Sequence, residues 1–292
     1  MEFKKNIDIC KTIQNMYRFA NIRSNMDKKE QNKWNNFFLD LRERGRCTFT
    51  FDEIRTKFDL SEQSISQELY RYSVKKQIVK IRKGFYGILT PETAIGGMLP
   101  PDLFVDALMK SLHKPYYVAL LSAAALHGAA HQQPMEYFVV TQTPAPRSIR
   151  SKKLKLTFIS KKIWEQSAIE QKKTRAGYLN VSSPELTAFD LLENIHTFGI
   201  NRITTVLEEL CEEMTPVRLS KIAKKIDNKA NIQRLGYILD TVVNDEKLAD
   251  SLYKILNKTS FSPIPLTPKK EKKGQVDNKW KIIINMQIES DL

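Results

Sequence analysis

The chain has 292 residues, 47 Lys+Arg against 33 Asp+Glu, and a formal net charge of +14. Its 41% apolar content is enough to fill real cores, and its length suits two domains of ordinary size. Three dispersed cysteines (Cys10, Cys47, Cys211) exclude a disulfide framework or a zinc spacing, and no run of about 18 apolar residues suggests a spanning helix. A reducing cytoplasm is the expected setting, because the first ten residues also lack the apolar core of a signal peptide.

Basic charge is densest at the start: the first 90 residues hold 19 Lys+Arg against 11 Asp+Glu. Residues 1–32 read as a polar extension in which Ile9, Ile13 and Tyr17 could line a short helix. A helix is predicted from Trp34 to Arg44, with Phe37, Phe38 and Leu41 inward and Gly45 as its stop. Asp52 is read as the cap of a second helix carrying Ile54 and Phe58, and Ser61 as the cap of a third. In the third, Ile65, Leu69 and Tyr72 fall at i, i+4, i+7, which makes one face apolar. The other face carries Gln63, Ser64, Ser66, Gln67 and Arg71, hydrogen-bonding groups suited to base edges and phosphates. A β-hairpin follows, 77–81 and 85–89, turned by Arg82-Lys83-Gly84 and carrying Tyr86. Helix, polar face and basic hairpin in this order predict a winged helix-turn-helix over 33–92, with Arg82, Lys83 and Tyr86 on the DNA backbone.

A hinge is predicted around Ala94–Gly97 and Pro100-Pro101, then an α+β domain over 99–257. Asp102 is read as capping a helix that reaches Leu112, and Tyr116–His127 as one helix rich in small residues, fit for close packing. Residues 136–141, 153–159 and 178–182 read as strands of a small sheet. Ser183-Pro184-Glu185 opens a further helix, with Ser183 as cap and Pro184 at its first position. From Ile200 a helical bundle is expected over 199–213, 215–227, 229–240 and 245–257. Residues 258–279 read as a Lys/Pro-rich linker within a 258–292 tail. The last strand, 279–285, could return to the sheet edge.

Catalytic constellations are missing from the sequence. No Walker loop, dinucleotide fingerprint or nucleophile elbow occurs, and Glu185 and Asp190 make no obvious acid–base pair. His127 and His131 are four apart, but Gly128 breaks the helix that a metal pair would need. His127 reads instead as a cationic C-cap, and Cys211 as a structural thiol. Neither enzyme activity nor a cofactor nor a metal is expected. A basic run at Arg147, Arg150, Lys153 and Lys155, extending to Lys161 and Lys162, reads as a solvated sheet face or as a docking surface for an acidic partner.

Three segments together resemble the AbiEi family of antitoxins from type IV toxin–antitoxin (abortive-infection) systems: the basic 46–90 block, YYVALLSAAALHG at 116–128 with its following FVVTQTPAPRSIR, and VSSPELTAFDLLENIHTFG at 181–199. The resemblance covers roughly 35–240. It implies a winged helix that binds inverted repeats in its own promoter, and a C-terminal domain that counters a nucleotidyltransferase-class toxin. The competing reading is a winged-helix transcriptional regulator whose second domain senses a ligand or dimerises.

Overall fold

The computed structural model describes residues 31–129, 135–226 and 228–289. Residues 1–30 of the predicted extension, Cys10 among them, and His131 lie outside them, whereas residues 31 and 32 belong to the first helix. Among these residues the chain is a mixed α/β protein with three separate sheets.

Residues 31–43 are helical (α1). Gly45 ends this stretch at φ +70°, a left-handed value that costs glycine little. Then follow β1 (Thr48–Thr50), α2 (Phe51–Lys57), α3 (Glu62–Val74), β2 (Ile78–Arg82) and β3 (Phe85–Ile88). The strands form an antiparallel sheet in the order β1-β3-β2. Thr50, not Asp52, caps α2: its side chain accepts the Glu53 N–H while Glu53 Oε2 accepts the Thr50 N–H at 2.7 Å. The reciprocal box satisfies two otherwise unpaired N–H groups, which a lone Asp one residue inside the helix cannot do. Ser61 caps α3 as expected. The core beneath is largely aromatic, with Trp34 stacked on Phe58 at 4.3 Å and Phe37 edge-on to Phe49. Such pairs contribute about 1 kcal/mol each beyond their buried area.

The expected hinge is instead helical. Thr90 and Thr93 form a capping box on α4 (Pro91–Gly96), and Gly97 closes it at φ +65°. The next helix, α5 (Val105–Ser111), starts after a 3-10 turn at Pro101–Leu103, and Asp102 does not cap it. A further correction falls on Tyr116–His127. Tyr116–Val118 is a strand (β4), and only Leu120–Leu126 is helical (α6). The switch is made at Leu120, which takes φ +56° with no glycine to advertise the turn. The small residues behave as expected: Ala119, Ala123 and Ala124 are fully buried, and Ser122 Oγ accepts the Phe138 N–H at 2.9 Å.

Five more strands, β5 (Tyr137–Gln142), β6 (Ile149–Arg150), β7 (Lys155–Lys161), β8 (Ile169–Thr174) and β9 (Gly177–Ser182), join β4 in a six-stranded sheet. Its order is β6-β7-β5-β4-β9-β8, with β4 and β5 antiparallel at the centre. The period-2 alternation of these strands feeds two cores. Tyr116, Val118 and Val139 face a cluster with α5 and with Ile81, Phe85 and Leu89 of the hairpin. Tyr117, Phe138 and Val140 face the opposite cluster. That second cluster holds α7 (Pro184–Glu193), α9 (Ile200–Leu210), α10 (Pro216–Ile226), α11 (Lys229–Thr241) and α12 (Glu246–Leu256), with the short α8 (Ile195–Phe198) between α7 and α9. The bundle follows the helices expected from sequence. The β2–β3 hairpin and the bundle therefore lie on opposite faces of one sheet.

The tail is not a free linker. Ile264–Pro265 (β10), Gln275–Asp277 (β11) and Ile282–Ile284 (β12) form their own sheet in the order β10-β12-β11, so the last strand does not return to the main sheet edge. It docks on α11 instead. Trp280 is fully buried over Gly236 and donates from Nε1 to Asp240 at 2.8 Å. Arg234 donates to the carbonyls of Pro265 and Leu266, and Gln233 to that of Trp280. The tail thus supplies most of the acceptors that these buried donors need, Asn231 of α11 adding one for Arg234.

Candidate nucleic-acid interface and partner surface

Ile65, Leu69 and Tyr72 bury one side of α3. The outermost stripe on the other side runs Gln63, Gln67, Tyr70, Val74, at i, i+4, i+7, i+11. Gln63 and Gln67 are exposed, and their side chains hold no hydrogen bond among the described residues. Tyr70 and Val74 remain 72% and 65% exposed. Sequence reasoning passed over these two because it read the polar face by residue type; continuing the helical period from Gln63 would have found them.

The other predicted contacts are less free. Ser64 Oγ lies 2.9 Å from Ser61 Oγ inside the cap, and Ser66 Oγ donates to the Glu62 carbonyl at 2.8 Å. Arg71 is held by Glu68 at 2.6 Å. At the hairpin, Lys83 and Gly84 (φ +75°) form a two-residue turn, with Lys83 exposed at the tip. Arg82 is half-buried, with Nη1 inward and without a hydrogen-bond partner. Tyr86 stacks on Phe49 at 5.4 Å and 10°, and burial pushes its phenol pKa up. The structure thus brings Gln63 and Gln67 to one exposed ridge, Lys83 to another, and turns much of Arg82 and Tyr86 towards the protein.

The second candidate surface is the β6–β7 edge. Arg147, Arg150, Lys153 and Lys155 are all exposed there, and Arg150 pairs across the strands with Lys155. Glu136 interrupts the patch: it meets Lys155 at 2.6 Å and accepts from Thr157. Lys161 is drawn partly inward from this patch. Its ammonium reaches Asp190 at 2.8 Å and Glu193 at 2.9 Å. Burial opposes its charge, but Asp190 outweighs that and holds its pKa above the usual lysine value.

Asp190 belongs to α7, where residues Pro184–Leu192 are all buried. The buried carboxylates on that helix, Glu185 and Asp190, are therefore obliged to find partners. Asp190 takes Lys161 and the Tyr117 hydroxyl at 3.1 Å. Glu185 accepts the Thr215 N–H at 3.1 Å and lies 3.2 Å from Arg218, which also binds Glu170. The Ser-Pro-Glu-Leu-Thr block is thus an anchor: Ser183 caps α7, Pro184 occupies its first position, and Glu185 pins the entry to α10.

His127 is the C-cap of α6, but burial lowers its pKa and the neutral ring donates from Nε2 to the Ser182 carbonyl at 2.7 Å. Cys211 is a half-buried thiol that donates to the Glu208 carbonyl, its pKa pushed up to about 11 by burial and by Asp245. It is a poor nucleophile, as thiolate formation is disfavoured.

These features define a two-faced α/β domain with a buried charged helix, fronted by a helix-and-hairpin module. Residues 117–241 match the family model for the AbiEi antitoxin C-terminal domain. The match supports an antitoxin role in a toxin–antitoxin system, with a cognate toxin as partner. The fold is similar to that in the crystal structure of the RV2827C protein from Mycobacterium tuberculosis, with a TM-score of 0.61 at 16% identity, covering 83% of this chain and 88% of that one. No curated protein matches the chain. Among the described residues no helix is long and apolar enough to cross a membrane.

Proposed function

We propose that the chain is a cytoplasmic, non-enzymatic antitoxin of a type IV system with two working parts. Residues 33–92 act as a winged helix-turn-helix that represses the chain's own operon by binding promoter inverted repeats. Residues 99–257 counter a nucleotidyltransferase-class toxin. The observation that carries the DNA half is the unengaged Gln63–Gln67 ridge of α3 beside a lysine-tipped hairpin. Planar amides can bond adenine N6 and N7 in a major groove, with Tyr70 and Val74 as apolar contacts to sugars or thymine methyls. Ser64, Ser66 and Arg71 flank this ridge, and Arg82, Lys83 and Tyr86 lie along the backbone. The antitoxin half rests on the family match over 117–241. Its docking surface is the exposed β6–β7 edge with Arg147, Arg150, Lys153 and Lys155.

Operator titrations at several salt concentrations test the DNA half on the full chain. Gln63→Ala with Gln67→Ala relaxes sequence preference, each lost bidentate pair costing about 1–3 kcal/mol of discrimination. Arg82→Gln with Lys83→Gln lowers the slope of log K against log salt by about 2 and leaves growth rescue from the toxin intact. An unchanged slope and affinity in the second variant would rule out the wing assignment. Full-length variants are the right reagents, because Ile81, Phe85 and Leu89 share a core with the second domain and truncation would expose it.

A further inference from the structure

A groove of about 670 Å³ runs between α10 and α12, on the face of the sheet away from the β2–β3 hairpin. Among the described residues five exposed lysines line it, Lys221, Lys224, Lys225, Lys254 and Lys258, beside Pro216, Val217 and Ile255, and no carboxylate does. Only Lys225 is tied down, to Glu165 at 2.6 Å. The other four make no ion pair among the described residues, so within these residues the groove carries four uncompensated positive charges. We propose that it is a binding site for the backbone of double-helical RNA, separate from the α3 surface.

Three observations select this occupant. First, protein interfaces are enriched in aromatic residues and Arg and depleted in Lys, whereas this groove has five lysines and neither of the others. Lysine-dominated grooves suit phosphate chains, whose condensed counterions they displace. Second, the groove offers no ring on which an unpaired base could stack, so it fits a stacked duplex rather than a single strand. Third, its two serines donate to backbone carbonyls: Ser220 Oγ to that of Ser251 at 3.3 Å, and Ser251 Oγ to that of Leu248 at 2.7 Å. What they have left are acceptor lone pairs. A phosphate cannot use those, but a ribose 2′-hydroxyl can, and 2′-hydroxyls are what distinguish an RNA helix from DNA.

The test is fluorescence anisotropy on the full chain at low salt, with a labelled RNA duplex and a DNA duplex of matching sequence lacking the operator. The probe variant carries Lys221→Gln, Lys224→Gln, Lys254→Gln and Lys258→Gln, all at exposed positions. RNA affinity is expected to fall at least tenfold and the salt slope by about 3, while operator binding is retained. The matching Lys→Arg variant should keep RNA affinity. Ser220→Ala with Ser251→Ala should narrow the preference for RNA over DNA. The Arg82→Gln/Lys83→Gln variant should keep RNA binding, so failure of the operator reading and failure of this one are told apart. Unchanged RNA affinity in the four-lysine variant would overturn the site. Equal binding of both duplexes by the Arg82→Gln/Lys83→Gln variant, in which the DNA contacts of the hairpin are removed, would overturn the RNA assignment. Displacement of RNA by an equal charge concentration of polyglutamate would overturn it in favour of an acidic protein.

Discussion

Asp190 and Gly236 show how much of this molecule hangs on single atoms. Asp190 is almost fully buried and its only cationic partner among the described residues is Lys161. Removing that partner leaves a desolvated carboxylate, so Lys161→Met is expected to destabilise the fold by about 3–5 kcal/mol, read by urea unfolding. Replacing both members by Met and Leu should recover most of the loss; a double variant as unstable as the single would show that the charge is not the cause. At Gly236 a Cβ would overlap the Trp280 indole. Gly236→Ala should therefore cost about 1–3 kcal/mol, although alanine favours helices elsewhere. A neutral or stabilising result by the same assay would mean that the tail does not pack on α11 in solution.

At the level of elements, caps and cross-ties decide where segments begin. Thr50 closes the box that starts α2, so Thr50→Ala should lower stability by about 1 kcal/mol, whereas Asp52→Ala should change it little. Reversal of that order would restore Asp52 as the cap. A second tie joins the approach to β8 with α10. The hydrogen bond from Lys225 holds Glu165 well below the usual carboxylate range, at about 2, helped by Ser167. A depressed folded pKa stabilises above the unfolded value near 4.5 and is lost as pH falls towards 2. Lys225→Gln should accordingly flatten the decline of stability between those limits, measured by urea midpoints at stepped pH. An unchanged decline would mean that the pair does not form in solution.

For the whole molecule, three apolar clusters and a docked tail make one structure out of parts that the sequence presents serially. The middle cluster spans the boundary predicted between residues 92 and 99, so changes at the apolar hairpin residues Ile81, Phe85 and Leu89 are felt by the domain that matches the antitoxin family model. Deleting 258–292 would strip Trp280, Leu266 and Ile282 from the bundle and leave Gln233 and Arg234 without their carbonyl acceptors. The thermal midpoint should drop by about 10 °C or more, given the few kcal/mol at stake. An unshifted midpoint by calorimetry would return the tail to the status of a free linker.

The sequence by itself determined the elements whose signals are local. Ile65-Leu69-Tyr72 defined α3, Ser183-Pro184 started α7, and helical periodicity laid out the bundle, because capping and periodicity act within a few residues. The predicted contact residues were legible as residue types in a pattern, but which of them stay free was not. Ser66 turned to its own backbone, Arg71 to Glu68, Tyr86 to Phe49 and Lys161 to Asp190, each through a neighbour that only folding supplies. Tertiary structure alone decided that Tyr116–Val118 is a central strand, since its apolar run reads equally as helix until β5 and β9 flank it. It alone set the tail on α11 and gathered lysines from α10, α12 and the turn after α12 into one groove. Those outcomes depend on contacts between residues far apart in the chain, and no local pattern encodes them.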